Sequence, residues 1–543
     1  MSREEFDTIV VGGGSAGSVA AARLVRDGGQ RVLLLEGGYS HRHPLLDMPP
    51  GIFKMINGSK YMHYHTTEPQ AHLDGRAHDI PQANVLGGGS SVNAQVYMRG
   101  RPSDYDAWNE ELRGNNDGAD WSWGSVLKHF RRMEDNNRLH NDYHGVDGPM
   151  KVSDPGHIDL LSRWFVQAVQ GLGEPFNPDF NGSSQRGVGF YQFMNRAGKR
   201  SSAAYAFLEP LKHDKRLTIR LESRVERVKI ENGRAVGVVW RDSHGKTFEA
   251  FARNEVIVAA GALITPKLLM LSGIGPADQL RQHGLPVHVD APGVGQNLID
   301  HPETPIIANV NGPYGYFGQG QGWRMLRNGL HFKLFGTGPI TSAGVEAGAF
   351  VNPRDPSAPP TIQAFCVPIV YLDRDTLNLV ENTYGLTVTT VVVKPRSRGH
   401  VKLRSADPKD MPLVSPNLLK DPEDMAEMIA GQRFFLRAFQ SSPLASRVKR
   451  VAVPDPASAG DDAAMAAHCK RFVKTNYHPS GTARMGRDGD PMAVLDSKMR
   501  VRGVQGLRVC DMSAAPDINA GNTNAPAMML GDRCADFLLD TSP

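Results

Sequence analysis

The amino-terminal segment VVGGGSAGSVAAARLVRDGGQRVLLLEGG, residues 10–38, constrains the fold more than any other part of the chain. An apolar strand leads into Gly12, Gly14 and Gly17 at GxGxxG spacing, and SVAAARLVR continues with helical periodicity. A second strand, RVLLLE, ends at Glu36, nineteen residues after Gly17. This order predicts a Rossmann-type unit that binds a dinucleotide. The alternative interpretation is a purely structural glycine turn.

Each residue of this unit has a predicted role. Gly12 allows the tight turn, Gly14 lets a pyrophosphate approach the backbone, and Gly17 lets the helix pack on the strand. The helix N-terminus faces the anion with its partial positive charge. Glu36 is expected to accept hydrogen bonds from ribose hydroxyls, which argues against a 2′-phosphate. FAD and NAD both use this unit, so this segment alone leaves the choice between them open.

Size and composition set further limits. A chain of 543 residues exceeds what one hydrophobic core holds, so we expect two domains. The net charge is +4, and no run of lysine or arginine is long enough to follow a phosphate backbone, so nucleic acid is not an expected partner. The four cysteines form no CxxC pair, which predicts neither a disulfide framework nor a zinc site. With no signal peptide and no transmembrane segment evident, we expect a cytoplasmic protein.

Later segments add glycine, hydroxyl and histidine motifs. PQANVLGGGSSVNAQ places three glycines and two serines beside Asn93, as a long cofactor would require if backbone donors held both of its ends. NEVIVAAGALITPKLLMLSGIGP predicts a strand, a turn at Gly261 and a helix. Near the end, NYHPSGTARMG contains His478, and VCDMSAAPDINAGNTNAPAMML contains Asp511 and Asn522.

With these motifs in this order, the chain resembles the glucose-methanol-choline (GMC) oxidoreductases, flavoenzymes that oxidise alcohols. NVLGGGSSVN and GALITPKLLMLSGIG resemble the two family signatures, PGVGQNLIDH its usual loop, and HPSGTARMG with GNTNAP its catalytic segments. The resemblance is strongest to choline dehydrogenase-like alcohol dehydrogenases and oxidases. It implies FAD as cofactor and oxidation of a primary alcohol to the aldehyde. A lyase of the hydroxynitrile lyase type, with FAD kept as a structural group, is the alternative.

The same resemblance implies which residues contact FAD. Relatives that bind FAD covalently use a histidine where this chain has Val92, so non-covalent FAD is expected. The backbone of Val225 is expected at the adenine. The expected cofactor-binding residues are Gly12, Gly14, Ser15, Ala16, Gly17, Glu36, Gly37, Gly88, Ser90, Ser91, Asn93, Ala94, Gln95, Val96, Val225, Gly261, Asp511, Met512 and Thr523.

The chemistry is predicted at His478 and Asn522. Oxidation removes the hydroxyl proton and a hydride from the α-carbon, and an alcohol does not ionise unaided near neutral pH. A histidine, with an ordinary pKa of about 6.5, is largely neutral there and can accept the proton. The resemblance implies that His478 is this base and that Asn522 hydrogen-bonds the substrate oxygen. It leaves the electron acceptor open between oxygen and a quinone or other carrier.

Two other features allow more than one interpretation. Glu346 matches a glutamate that faces the cationic head group in choline-active relatives, and a structural hydrogen bond is the alternative. A histidine-rich stretch, residues 41–78, indicates a polar entrance or a solvated loop. It lies in a loop-like region and not on the defined elements that usually carry the paired ligands of metal sites, so no metal site is predicted. Its histidines are His41, His43, His63, His65, His72 and His78.

The positions of the motifs predict an α/β fold in which a discontinuous FAD-binding domain is interleaved with a substrate-binding domain. The substrate-binding domain is expected to have an antiparallel sheet with helices on one face. The glycine- and aromatic-rich segment 312–325 is predicted as a lid or an ordinary surface loop. The oligomeric state stays open. The predicted FAD-binding segments are 1–157, 200–310 and 470–543, and the predicted substrate-binding segments are 158–199 and 311–469.

Overall fold

A computed structural model describes residues 4–372 and 376–540. It confirms the predicted fold class, because a domain with parallel strands is interleaved with a second domain built on an antiparallel sheet. The outer ends of the predicted domains, residues 1–3 and 541–543, lie outside the described residues.

The helices and strands of the described residues are numbered in chain order. The α-helices are α1 (Ser15–Arg26), α2 (Pro44–Asp47), α3 (Ile52–Met55), α4 (Gly89–Val92), α5 (Pro102–Glu111), α6 (Trp123–Met133), α7 (Leu160–Gln170), α8 (Thr265–Leu271), α9 (Ala277–Gln282), α10 (Gly322–Phe335), α11 (Pro422–Phe439), α12 (Asp462–Phe472) and α13 (Asn524–Leu539). The strands are β1 (Glu5–Val11), β2 (Val32–Leu35), β3 (Met62–Thr66), β4 (Asp79–Ala83), β5 (Glu134–Asn136), β6 (Met150–Val152), β7 (Gly187–Phe190), β8 (Asn195–Arg196), β9 (Lys199–Arg200), β10 (Leu217–Arg220), β11 (Arg224–Glu231), β12 (Arg234–Arg241), β13 (Thr247–Val258), β14 (Ile274–Gly275), β15 (Val289–Asp290), β16 (Pro302–Val310), β17 (Ala347–Val351), β18 (Ile362–Val367), β19 (Gly385–Val392), β20 (His400–Lys402), β21 (Leu413–Ser415), β22 (Val448–Val453), β23 (Lys474–Thr475) and β24 (Leu507–Val509).

The first sheet contains the predicted amino-terminal unit. Its strands lie in the order β10-β2-β1-β13-β12-β11, with β24 also paired to β13. β1 runs parallel to both of its neighbours, β2 and β13. β2 consists of four buried apolar residues, the pattern of a parallel strand covered on both faces. The glycine loop therefore follows the carboxyl end of a central parallel strand, where open α/β sheets bind their ligands.

The second sheet is antiparallel, in the order β22-β16-β19-β18-β17-β7, with β23 also paired to β16. α7 and α11 cover one face, as expected, and Phe165 and Phe435 stack there with ring centroids 6.0 Å apart. The side chains of β18 alternate. Ala364 and Cys366 belong to the core beneath the helices, whereas Phe365 lines a large cavity on the other face.

Two strands of this antiparallel sheet come from segments predicted for the FAD-binding domain. β16 lies before the predicted boundary at residue 310, and β23 lies after the predicted boundary at residue 470. All nine residues of β16 are buried, so it lacks the alternation that marks a half-exposed antiparallel strand in a sequence. The antiparallel sheet is therefore wider than the predicted segments, and the residue boundaries of the two domains stay a prediction.

The carboxy-terminal helix α13 packs against α1. The contact is close at Gly531, where a Cβ atom would lie 2.3 Å from the carbonyl oxygen of Ala16. Beside it, the buried guanidinium of Arg23 pairs with Asp532 and Asp536, and His129 Nδ1 lies 2.8 Å from an Asp532 oxygen. His129, Asp532 and Asp536 lie close enough together to hold a metal ion, but the guanidinium already pairs with both carboxylates.

Three remaining expectations concern cysteines, the membrane and the lid. All four cysteines are buried free thiols. Within 4–372 and 376–540, no helix has the length and apolar character that crossing a bilayer demands. The glycine-rich segment 312–325 runs as a loop into the first turn of α10 at Gly322, and its role as a lid stays a prediction.

Candidate active site

The first glycine loop has the close contacts that its spacing predicts. Gly12 has a φ of +100°, and a Cβ there would lie 2.3 Å from the carbonyl oxygen of Ala259 at the end of β13. A Cβ on Gly17 would lie 2.0 Å from the carbonyl oxygen of Gly12, so α1 approaches the loop as closely as glycine permits. α1 starts after Gly14 without a side-chain cap, which leaves backbone N–H groups at its N-terminus available to an anion.

The second glycine loop meets the first. Gly87 N donates a hydrogen bond of 2.7 Å to the carbonyl oxygen of Gly13, and a Cβ on Gly88 would lie 2.7 Å from Gly14 Cα. The two adjacent serines brace this loop. Ser90 Oγ donates to Gly87 O at 2.6 Å, and Ser91 Oγ donates to Leu86 O at 2.7 Å. Their hydroxyls therefore bond to the protein backbone.

Glu36 directly follows β2 and is partly buried at the cavity wall. One carboxylate oxygen accepts a hydrogen bond of 2.8 Å from Gly13 N, and the other accepts one of 2.7 Å from Gly38 N. Burial raises the pKa of this carboxyl, although these two backbone donors oppose the shift. A carboxylate has about four acceptor positions, so Glu36 can still accept ribose hydroxyls as predicted.

One continuous cavity of about 460 Å³ connects both glycine loops with His478 and Asn522. Three of the predicted cofactor-binding residues do not line this cavity, namely Gly17, Ser90 and Ser91. These residues stabilise the glycine loops from the side away from the cavity. Sixteen of the nineteen predicted cofactor-binding residues line it, and these are Gly12, Gly14, Ser15, Ala16, Glu36, Gly37, Gly88, Asn93, Ala94, Gln95, Val96, Val225, Gly261, Asp511, Met512 and Thr523.

The wall of this cavity offers unused hydrogen-bonding groups. Within the described residues, the buried Gln95 Nε2 and Asn524 Oδ1 have no hydrogen-bond partner in the protein, and both residues line the cavity. Buried polar groups are nearly always paired in folded proteins. The 16-residue helix α13 also begins at the cavity, at Thr523, without a side-chain cap. These donors and acceptors fit a long, polar, anionic ligand such as a dinucleotide.

Asp511 joins the carboxy-terminal segment to the first domain. Its Oδ2 accepts hydrogen bonds from Gly261 N at 2.9 Å and Thr265 Oγ1 at 2.6 Å. Its Oδ1 accepts from Ser513 N at 2.8 Å. The turn at Gly261, with a φ of +85°, precedes α8 as predicted. The Asp511 carboxylate therefore links the turn at Gly261 to the carboxy-terminal segment, and both segments form part of the cavity wall.

His478 and Asn522 lie together at the other end of the cavity. Asn522 Nδ2 is 3.5 Å from His478 Nε2, and Asn522 Oδ1 accepts a hydrogen bond of 3.3 Å from Gln363 Nε2. Tyr477, the residue before His478, has a φ of +64°. Residues other than glycine adopt this left-handed conformation mainly where the surrounding structure imposes it. The amide nitrogen of Asn522 and the Nε2 of His478 thus form a pair at the cavity wall.

A second histidine fixes the protonation of the first. His301 Nδ1 lies 2.9 Å from His478 Nδ1, and His301 Nε2 lies 3.0 Å from the carbonyl oxygen of Val393. A carbonyl only accepts, so a neutral His301 carries its proton on Nε2 and offers the lone pair of Nδ1 to His478. His478 therefore carries its own proton on Nδ1. This leaves a lone pair on Nε2, beside Asn522.

Burial keeps both rings neutral. It lowers the pKa of His301 to about 4 and, together with the positive potential of His301 and Lys474, holds the pKa of His478 well below its ordinary value. The backbone N–H of His478 donates a hydrogen bond of 3.0 Å to Asp300, whose pKa is raised by burial to about 7. His478 is thus a neutral imidazole in a fixed orientation.

Sequence reasoning assigned no role to His301 or Asp300. Both lie in PGVGQNLIDH, a segment that contributes only to the family resemblance. The contact of His301 with His478 spans 177 residues and depends on pairing between β16 and β23, which no local pattern reveals. The alternation of apolar and polar residues also gave no hint that Phe53, Phe365 and Tyr371 would line the same end of the cavity.

The structure also locates the features that allowed two interpretations. Glu346 is fully buried and does not line the cavity. Its carboxylate accepts hydrogen bonds from Ser342, Tyr316 and Ser162, which supports the structural alternative. Of the histidine-rich stretch, only His63 and His65 line the cavity.

The fold and the cavity define a Rossmann-type nucleotide-binding protein whose carboxy-terminal segment brings a histidine and an asparagine to the far end of the site. Residues 6–303 and 395–531 match the two parts of the GMC oxidoreductase family. The chain therefore belongs to the GMC oxidoreductases, as its motifs predicted.

Full-length relatives support the same assignment. The chain is 40% identical to an alcohol dehydrogenase (acceptor) of Pseudomonas putida, over 98% of this chain and 96% of that protein. It is 35% identical to a mitochondrial choline dehydrogenase of Mus musculus, over 99% and 90% of the two chains. Among solved structures, it is similar to pyridoxine 4-oxidase from Mesorbium loti, with a TM-score of 0.86, 29% identity and coverage of 97% and 98%. These relatives are named dehydrogenases and oxidases, which favours redox chemistry over the lyase alternative.

Proposed function

We propose that this chain catalyses the FAD-dependent oxidation of a primary alcohol to the aldehyde, with His478 as the base. The observation that carries the proposal is the position of His478 Nε2 beside Asn522, in the cavity that also contains both glycine loops. The names of the P. putida and M. musculus relatives support an alcohol as the substrate class.

FAD is the dinucleotide that we assign to the cavity. The first glycine loop, the N-terminus of α1 and Glu36 would hold its adenosine and pyrophosphate, and the second loop with Gln95 would hold the remainder. Bound FAD would supply the hydride acceptor, N5 of its flavin ring. Val92 lines the cavity and has no nucleophilic atom, so the attachment is non-covalent. Acid denaturation of the holoenzyme should release all of the flavin into the supernatant.

The chain's own contribution is to bind the hydroxyl and remove its proton. The substrate hydroxyl would lie between His478 Nε2, which accepts its proton, and Asn522 Nδ2, which donates a hydrogen bond to its oxygen. Gln363 fixes the Asn522 amide so that its nitrogen, and not its oxygen, faces the histidine. His301 keeps the His478 proton on Nδ1 throughout. Both catalytic atoms are thereby oriented before substrate binds.

The cavity wall near His478 favours an alcohol with an apolar or aromatic body. Phe53, Phe365, Val367 and Tyr371 line the cavity and pack in one hydrophobic cluster, in which Phe53 and Tyr371 lie edge to face with ring centroids 6.3 Å apart. The Tyr371 hydroxyl lies 3.0 Å from the hydroxyl of Tyr477, the residue before His478. Glu346 is bonded within the protein and does not offer its charge to a cationic head group. We therefore expect aryl or alkyl alcohols to be better substrates than choline.

The proposal is tested by mixing the purified holoenzyme with alcohols under anaerobic conditions. A benzylic alcohol, an alkanol and choline should be compared, and loss of the absorbance of oxidised flavin should occur fastest with the first two. Cleavage of a cyanohydrin with the flavin still oxidised would support the lyase alternative and contradict the proposal. Parallel assays of peroxide formation and of dye reduction would distinguish an oxygen-using oxidase from a dehydrogenase that uses a quinone or other carrier.

A further inference from the structure

Helix α10 carries an apolar stripe that faces solvent. Trp323, Leu326, Leu330 and Leu334 follow one another at intervals of three and four residues, so their side chains share one face of the helix. Trp323 is 64% exposed, Leu326 71% and Leu334 63%. Scattered exposed apolar residues are ordinary, but a continuous stripe of this kind marks an interaction surface.

The opposite face of α10 fixes this orientation. Asn328 is buried and its Nδ2 donates a hydrogen bond of 3.1 Å to the carbonyl oxygen of Gln319. The ring of Phe332 lies against Gly198, where a Cβ atom would come within 2.7 Å of it. Both residues lie about half a turn from the apolar stripe, so the stripe cannot turn inward without breaking these contacts.

The charged residues that this segment of the chain contributes are all positive. The segment 304–345 contains no aspartate or glutamate, and its cations are Arg324, Arg327 and Lys333. Arg324 points inward to the hydroxyl of Tyr384, whereas Arg327 and Lys333 are exposed on either side of the stripe. The Arg327 guanidinium lies 5.0 Å from the Trp323 ring centroid. A stripe of leucines and a tryptophan between cations is the composition of a helix that lies in the surface of an anionic membrane.

A second copy of the chain fits this surface less well. In a twofold dimer through α10 the same patch would face itself, so Arg327 and Lys333 of both copies would meet across the apolar contact. Like charges that are desolvated together oppose association. An anionic bilayer instead offers apolar chains to the leucines and negative head groups to the cations.

We propose that the exposed face of α10 docks this protein on the surface of a bilayer that contains anionic lipid. The position of the helix agrees with this role. After α10 ends at Phe335, the chain makes one short helical turn at Pro339–Thr341 and then supplies Ala343 and Val345 to the wall of the cavity. Docking would therefore place the membrane one short segment from the site that receives the alcohol.

Sedimentation of the holoenzyme with lipid vesicles tests the proposal. Vesicles of phosphatidylcholine with and without phosphatidylglycerol should be compared at low and high salt. We expect binding to the anionic vesicles that weakens with salt. The variant with Leu326→Gln, Leu330→Gln and Leu334→Gln should bind them roughly tenfold or more weakly, because apolar burial drives insertion. A control variant with Val146→Gln and Val287→Gln, which changes exposed valines elsewhere, should bind like the unchanged protein.

Charge variants separate the two parts of the proposal. Arg327→Gln and Lys333→Gln should each weaken binding to anionic vesicles by about fivefold and leave binding to neutral vesicles unchanged. Absence of binding to anionic vesicles, or equal binding by the triple glutamine variant, would overturn the proposal. A concentration-dependent dimer in lipid-free solution that the triple variant abolishes would instead assign the stripe to contact between copies. Turnover of a water-soluble alcohol should be the same for all of these variants, so the outcome does not depend on the catalytic assignment.

Discussion

His301 Nδ1 lies 2.9 Å from His478 Nδ1, and the carbonyl oxygen of Val393 accepts a hydrogen bond from the other ring nitrogen of His301, Nε2. Two nitrogen atoms at this distance share one proton, and the carbonyl determines which ring supplies it. Neither ring needs a charged partner to be oriented. The arrangement keeps the Nε2 of His478 free of a proton in an environment where burial disfavours imidazolium.

The role of His301 can be separated from simple packing by two substitutions. Gln at position 301 can accept from His478 Nδ1–H through its oxygen and donate to Val393 through its nitrogen, whereas Leu can do neither. His301→Leu should lower kcat by about 10²-fold or more, since a histidine base in the wrong tautomer loses most of its activity. His301→Gln should retain most of it. Equal loss in both variants, measured as the rate of anaerobic flavin reduction, would show that His301 acts only through its volume.

Asn522 is expected to act on the rate more than on substrate affinity. Asn522→Leu keeps the volume of the side chain but removes the amide donor, and loss of one such donor typically costs about 10²-fold in kcat. KM should change by much less, because the hydrogen bond strengthens as negative charge develops on the substrate oxygen. Steady-state kinetics with one alcohol distinguish these parameters. A large rise in KM with an unchanged kcat would mean that Asn522 only binds the ground state.

The pH dependence follows from the neutral His478. The base acts unprotonated, so kcat/KM should fall as the pH drops through the pKa of His478. Burial, with His301 and Lys474 as smaller contributions, lowers that pKa well below its ordinary value of about 6.5. The acid limb of the profile should therefore lie well below pH 6.5, with nearly constant kcat/KM from there to neutral pH. An acid limb at or above pH 6.5 would contradict a buried neutral imidazole.

Gly89 tests the assignment of the cavity to FAD without disturbing the fold. Gly89 lines the cavity, and a Cβ atom there would meet no protein atom within 4 Å. A larger side chain at this position would therefore not clash with the protein but would extend into the space that we assign to FAD. Gly89→Leu should lower the bound flavin content severely, with little change in the melting temperature of the apoprotein. The matched variant Gly124→Leu, at a position with equally open surroundings outside the cavity, should keep its flavin.

Local signals in the sequence predicted the parts of the fold that depend on them. The glycine loop and the turn at Gly261 need backbone conformations that favour glycine, and Glu36 needs a position at the end of a strand. Each of these requirements can be recognised in the local sequence. Ser90 and Ser91 show the limit of this reasoning, because a hydroxyl beside a glycine loop bonds equally well to a ligand or to the backbone.

Long-range contacts and exposed surfaces could not be predicted in the same way. His301 meets His478 only because β16 pairs with β23, and the outward direction of the α10 stripe depends on what its other face contacts. Periodicity shows that a helix has two faces, but an apolar face is usually assumed to be buried. The composition of residues 312–325 predicts a lid or a surface loop, and the exposed apolar stripe of the helix that follows is not part of that prediction.

The role of His478 as the base is tested by the rate at which a primary alcohol reduces the flavin of the His478→Gln variant under anaerobic conditions. Glutamine keeps the approximate size and hydrogen-bonding capacity of the histidine but cannot accept the proton as a base. The account predicts normal flavin content and a reduction rate about 10²- to 10⁴-fold below that of the unchanged enzyme. Reduction at the unchanged rate with a full complement of flavin would contradict it.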